Sequence, residues 1–227
     1  MVSDSTDQAA VKAGQAVYTK SMLMIYDVWV LGISNSFIWK CSTKRIKALF
    51  DIHVSQNHLD VGVGTGYYLD KCLAGSHQRI GLLDLNHNSL NAASKRVARL
   101  KPEIFQANIL EPLSLNCRKF ESISMNYLLH CLPGKMASKS MAIKHVSEYL
   151  VEDGVLFGST ILGKNSEKNW FANKLMRFYN AKGVFDNLDD DLSSLQNELE
   201  KYFISVDIEV SGCVALFIGQ GRKPLKH

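Results

Sequence analysis

From residue 57 onward, short apolar runs alternate with stretches in which apolar positions recur every three to four residues. The runs at 58–61, 79–83, 103–107, 121–125 and 155–160 predict buried strands, and the stretches at 67–75, 88–100 and 136–151 predict helices between them. In the second of these helices Leu90, Ala93, Val97 and Leu100 share one face, and Asn86 stands at the N-cap position. Such alternation predicts an α/β fold, a mostly parallel sheet with helices on both faces. Right-handed crossovers bring the carboxyl ends of the strands to one edge, and Asp60, Asp84, Asn108 and Asn126 fall at or just after such ends.

The flanks depart from that rhythm. Residues 9–31 carry a helical pattern through Val17, Val28 and Leu31, and a second helix is expected from Ser42-Thr43 through Ile46 and Leu49 to Phe50. Both precede the first strand, so neither is a crossover; residues 1–56 are expected to form a helical lid and substrate cap on a core spanning 57–227. Beyond 160, residues 166–181 predict a helix, and Asp186-Asn187 is placed to cap another whose stripe is Leu188, Leu192, Leu195, Leu199 and Phe203. The acidic run Asp189-Asp190-Asp191 suits a helix N-terminus. Residues 204–210 and 213–218 predict a closing antiparallel hairpin.

Composition narrows the class. The chain has 227 residues, enough for one well-buried core, and its net charge of +4 lies in no block of like charges, which gives no case for nucleic acid. Five scattered cysteines without a C-x-x-C pair point to reduced thiols and no structural zinc, hence a cytoplasmic setting. The polar N-terminus does not read as a signal peptide. The most apolar window, 23–33, is interrupted by Asp27 and too short to cross a bilayer, so no membrane association is expected.

The chemistry concentrates in Leu59-Asp60-Val61-Gly62-Val63-Gly64-Thr65-Gly66-Tyr67. Glycines between a strand and a helix allow a sharp turn and close approach of a ligand to the backbone. Asp84, about 20 positions on, is placed to take a ribose hydroxyl pair. A dinucleotide fingerprint, G-x-G-x-x-G, needs glycine where this chain has Tyr67, and Asp60 would oppose a pyrophosphate.

The spacing of Gly62, Gly64 and Gly66 behind Asp60 instead resembles the first motif of class I S-adenosylmethionine-dependent methyltransferases. The resemblance extends over about 17–219 and includes the segment Asn126-Tyr127-Leu128-Leu129-His130-Cys131-Leu132-Pro133, similar to the small-molecule, secondary-metabolism subgroup. It implies a Rossmann-like seven-stranded sheet with an antiparallel C-terminal hairpin. It also implies S-adenosylmethionine as cofactor, S-adenosylhomocysteine as product, and no metal. The cofactor contacts it implies are Asp60 on the methionine ammonium, Gly62, Gly64 and Gly66, Asp84 on the ribose, and Leu85, Asn108 and Ile109 around the adenine. Asn126 and Tyr127 would lie along the methionine part. Asn108 departs from the family's usual aspartate, but its amide oxygen still accepts a hydrogen bond.

Two roles suit His130: general base beside the transferred methyl, or a packed ring that caps the Pro133-Gly134 turn. Tyr18, Tyr26 and Trp39 either line the acceptor site or belong to the core. The expected partner is a small-molecule acceptor, methylated on oxygen as an enol or phenol, by a monomer or homodimer. A protein that binds S-adenosylmethionine without transferring methyl, or an N-methyltransferase, is the alternative.

Overall fold

The computed structural model describes residues 35–73, 79–164 and 166–224. Its elements, in chain order, are α1 (Thr43–His53), β1 (Asn57–Val61), α2 (Tyr67–Cys72), β2 (Arg79–Asp84), α3 (His87–Arg96), β3 (Glu103–Gln106), β4 (Phe120–Asn126), α4 (Met136–Ser147), β5 (Leu150–Ile161), α5 (Trp170–Ala181), α6 (Leu192–Tyr202), β6 (Phe203–Ser211) and β7 (Val214–Arg222). The strands form one sheet in the order β3-β2-β1-β4-β5-β7-β6. β1 to β5 run parallel, whereas β7 pairs antiparallel with both β5 and β6. This is the seven-stranded class I methyltransferase arrangement with its closing hairpin.

Period-two alternation divides the core between the two faces of the sheet. On one face Leu59, Val61, Leu83 and Leu156 pack with Ile143 and Val146 of α4 and with Leu195 and Leu199 of α6. On the other, Ile80, Leu82 and Phe157 pack with Phe50 of α1, Leu69 of α2, and Leu90 and Ala93 of α3. Asn86 caps α3 as expected, its side chain accepting from the amides of Asn88 and Ser89.

Several boundaries differ from the sequence expectation for local reasons. α4 stops at Ser147 and β5 begins at Leu150, because β5 pairs with Phe120 early and then shifts register before Ser122. α5 starts at Trp170, where Asn169 caps it through the amide of Ala172. α6 is capped by Asp191, with Ser194 completing a reciprocal capping box, and not by Asp186-Asn187. The described part of the expected lid, α1, packs Ile46 and Phe50 into the protein interior. The predicted helix at 9–31, with Tyr18 and Tyr26, lies outside the described residues.

Candidate active site

At the carboxyl edge of the sheet the chain leaves β1 into the glycine turn, where Gly62, Gly64 and Gly66 all take positive φ (71°, 51° and 72°). The third glycine is required twice over: its φ disfavours a side chain, and a Cβ there would lie 3.0 Å from Cα of Ala93 on α3. The turn is tied to β2 by the amide of Gly62 donating to the Leu83 carbonyl at 2.9 Å.

Asp84 ends β2 and organises the turn further. The Asn86 amide donates to its carboxylate at 2.8 Å, and the backbone N–H groups of Val63, Gly64 and Leu85 also favour its charged form. Burial nonetheless dominates and raises its pKa to about 6, those amides pulling the other way. Asp60 is 7% exposed and accepts from the Ser124 hydroxyl. Burial raises its pKa to about 7; the Ser124 bond lowers it, and the charge of Asp84 adds to the rise.

A cleft with a volume of about 130 Å³ opens along this edge. Gly62, Gly64, Asp84, Leu85, Asn108, Ile109, Asn126 and Tyr127 line it, so the structure brings together eight of the ten expected cofactor residues. Asp60 lines the adjoining recess, together with Gly62, Gly64, Asn126 and Tyr127. Gly66 acts one step back, as the positive-φ N-cap of α2. The Asn108 amide oxygen accepts from the Leu110 amide at 3.1 Å while its nitrogen donates to Glu111 at 2.7 Å. Asn126 accepts from Ser159, and its Nδ2 is buried with no hydrogen-bond partner among the described residues. Tyr127 is held at φ 52° by its amide donating to the Ser159 carbonyl at 2.8 Å.

Other expected residues fall elsewhere. His130 is 2% exposed and outside the lining of the cleft; its ring meets Phe185 edge-on at 4.5 Å and Tyr127 at 5.8 Å. Burial, helped by the Lys139 charge, lowers its pKa to about 3, so the ring is neutral at physiological pH. That is the placement of a packed histidine, and it departs from the expectation of a base facing the transferred methyl. Trp39 is equally buried, 6.1 Å from Phe185, and lines neither the cleft nor the recess.

Sequence reasoning passed over the apolar wall of the cleft formed by Leu128, Leu132 and Pro133. It also passed over Ser124 and the clamp beside the wall. In that clamp Gly134 donates to the Asp186 carboxylate at 2.7 Å, and the Asp186 amide donates to the His130 carbonyl at 3.0 Å.

Two buried acidic residues, Asp60 and Asp84, and a glycine turn thus lie together along the carboxyl edge of a class I methyltransferase sheet. The comparisons agree. Residues 59–156 match the family model described as a methyltransferase domain. The chain is 39% identical over 206 residues to the physcion biosynthesis cluster O-methyltransferase of Aspergillus chevalieri, covering 90% of this chain and 93% of that one. It is 37% identical over 205 residues to the demethylluteothin O-methyltransferase of Streptomyces thioluteus, covering 90% and 89%. The N-methyltransferase NodS of Bradyrhizobium japonicum, solved in complex with S-adenosylhomocysteine, shares the fold at a TM-score of 0.63 and 16% identity, covering 94% of this chain and all of that one. The protein belongs to the methyltransferase family, and S-adenosylmethionine is its methyl donor.

The residues present fit that cofactor. The buried, unpartnered amide nitrogen of Asn126 and the buried carboxyl of Asp60 are the kinds of groups a polar amino-acid moiety satisfies. Among the described residues no helix is long and apolar enough to cross a membrane.

Proposed function

We propose that this enzyme methylates an oxygen of a small-molecule acceptor, an enol or phenol of secondary metabolism. The observation that carries the reading is near-full-length similarity to two proteins named as O-methyltransferases, one from a biosynthesis cluster.

When bound, S-adenosylmethionine supplies an electrophilic methyl group; the chain supplies position and a dry setting. Asp84, held by the Asn86 amide, is placed to accept from the ribose hydroxyls, and Asp60 and Asn126 to hold the amino-acid end. Leu85 and Ile109 give the adenine apolar surface. Leu128, Leu132 and Pro133 exclude water from the acceptor side. Orientation of this kind lowers a barrier by up to roughly 7–11 kcal/mol. With the His130 ring packed away from the cleft, the reading favours an acceptor acidic enough to ionise without it.

The test is incubation with labelled S-adenosylmethionine and a panel of enols, phenols and amines of similar size. Label on the hydroxyl oxygens supports the proposal. Label confined to amines, or to protein or RNA, overturns it.

A further inference from the structure

Beneath Asp60 lies a run of buried polar groups with no part in holding a ligand. His58 and Asp60 are two residues apart on one face of β1, and the parallel register sets Ser122 opposite His58 and Ser124 opposite Asp60. Ser124 Oγ donates to Asp60 Oδ1 and lies 3.0 Å from His58 Nε2. The other ring nitrogen, Nδ1, lies 2.7 Å from Ser122 Oγ, which is 3.0 Å from Ser55 Oγ. Ser55 Oγ in turn lies 2.9 Å from the Asn57 carbonyl. Asp60, Ser124, His58 and Ser122 are buried and Ser55 is half-buried, so the hydrogen-bonded row runs from the carboxyl edge of the sheet towards solvent at the amino edge.

The row is self-consistent in two arrangements. With Asp60 neutral, every hydrogen points away from it: Asp60 to Ser124, Ser124 to Nε2, Nδ1 to Ser122, Ser122 to Ser55, Ser55 to the Asn57 carbonyl. With Asp60 ionised, every hydrogen of the relay points back: Ser124 to Asp60, Nε2 to Ser124, Ser122 to Nδ1, Ser55 to Ser122. In this second arrangement Ser55 Oγ still accepts from the Asn57 amide at 3.1 Å. Passing between them moves each proton one partner along, and the Ser55 hydroxyl, turning from the Asn57 carbonyl to solvent, gives its proton to bulk water. Each O–H or N–H bond broken is matched by one formed, with no change of oxidation state.

We propose that Ser124, His58, Ser122 and Ser55 form a proton relay through the sheet that sets the charge of Asp60, making His58 a positioning residue for the cofactor's amino group. The inference rests on the donor site but goes beyond it. As the ligand ammonium seats over Asp60, the carboxyl proton leaves at the opposite edge of the sheet without crossing the occupied site. His58 switches tautomer and never charges, because burial lowers its pKa to about 3. Phe50 of α1 (5.2 Å) and Phe157 of β5 (5.8 Å) face its ring, and His53 of α1 sits beyond Phe157 at 5.7 Å. The other ionisable groups acting on or feeling Asp60 are Asp84 of β2 and Cys72 at the end of α2.

The experiment reads the imidazole nitrogens of the ¹⁵N-labelled full chain by long-range ¹H–¹⁵N correlation. His58 is assigned with His58→Gln or, if that variant does not fold, by the shift that Ser122→Ala causes at Nδ1. The expected result is the Nδ1–H tautomer at about pH 5 and the Nε2–H tautomer at about pH 9, because burial raises the Asp60 pKa to about 7, between the two. Saturation with S-adenosylhomocysteine at about pH 7 should give the Nε2–H form. In Ser124→Ala the tautomer should no longer respond to pH or ligand. One tautomer throughout in the wild type, an imidazolium at any of these pH values, or switching that survives Ser124→Ala overturns the relay. A wild type that switches with pH but binds no S-adenosylhomocysteine would leave the relay standing and remove the donor site instead.

Discussion

Lys139 offers the sharpest quantitative test of how the clamp beside the cleft is held. Its side chain is fully buried on α4, ion-paired with the buried Asp190, and it also donates to the Asp186 carbonyl. Asp186 and Asp190 in turn fasten the loop at His130 and Gly134 and the start of the segment after β5. Replacing Lys139 by Met keeps length and volume, so little cavity is created. What remains is an uncompensated buried carboxylate, a cost of about 3–5 kcal/mol, and the lost bond to Asp186 adds about 1 kcal/mol. In a chain of this size that lowers Tm by roughly 10–20 °C.

The loss should depend on pH with a definite sign. Burial already holds the Asp190 carboxyl above its ordinary value even with the ammonium beside it. Without Lys139 the rise grows, and a raised acid contributes stability below its unfolded pKa that is lost as pH rises through its folded one. Urea unfolding should therefore show a larger deficit at about pH 8 than at about pH 5. Lys139→Met combined with Asp190→Leu should recover to within about 2 kcal/mol of wild type, since both buried charges are gone. A single variant that loses less than about 1 kcal/mol, or a double no better than the single, refutes the reasoning.

Asp84→Ala should abolish the rise in Tm that S-adenosylhomocysteine gives the wild type. In the wild type, calorimetric affinity should weaken as pH falls below about 6, where the Asp84 carboxylate takes up its proton. Gly66→Ala should cost about 1–2 kcal/mol from the positive φ alone, more with the Ala93 contact, read by urea unfolding. His130→Gln should lower stability while leaving kcat within about tenfold; a fall of roughly 10²–10⁴-fold at unchanged folding would restore the general-base role.

Much of the frame was legible because the strands announce themselves by composition and the glycine turn by its spacing. Gly62, Gly64 and Asp84 converge because the turn follows β1 and the acid ends its neighbour, a consequence of topology that alternation alone implies. His130 shows the limit. Chain order places it after β4 near the cleft, but the direction of its ring is decided by Phe185, 55 residues later, and by burial. The serines of β4 were illegible for another reason. Ser122 and Ser124 read as the polar side of a strand, and only the register against β1 sets them on His58 and Asp60. Capping by Asp191 and not Asp186-Asn187 was a choice among several acidic candidates, settled by Ser194 at the third helical position.

The place of β7 between β5 and β6 has a consequence for how the chain comes off the ribosome. β5 ends at Ile161 and β7 begins at Val214, so synthesis at 5–20 residues per second separates them by roughly 3–10 s. For that interval the row of β5 amides and carbonyls destined for β7 has no ladder partner, in a strand whose second half is wholly buried in the finished fold. A nascent polypeptide paused there presents an open, sticky border, and the interval ends only when its late-made neighbour slots into the gap.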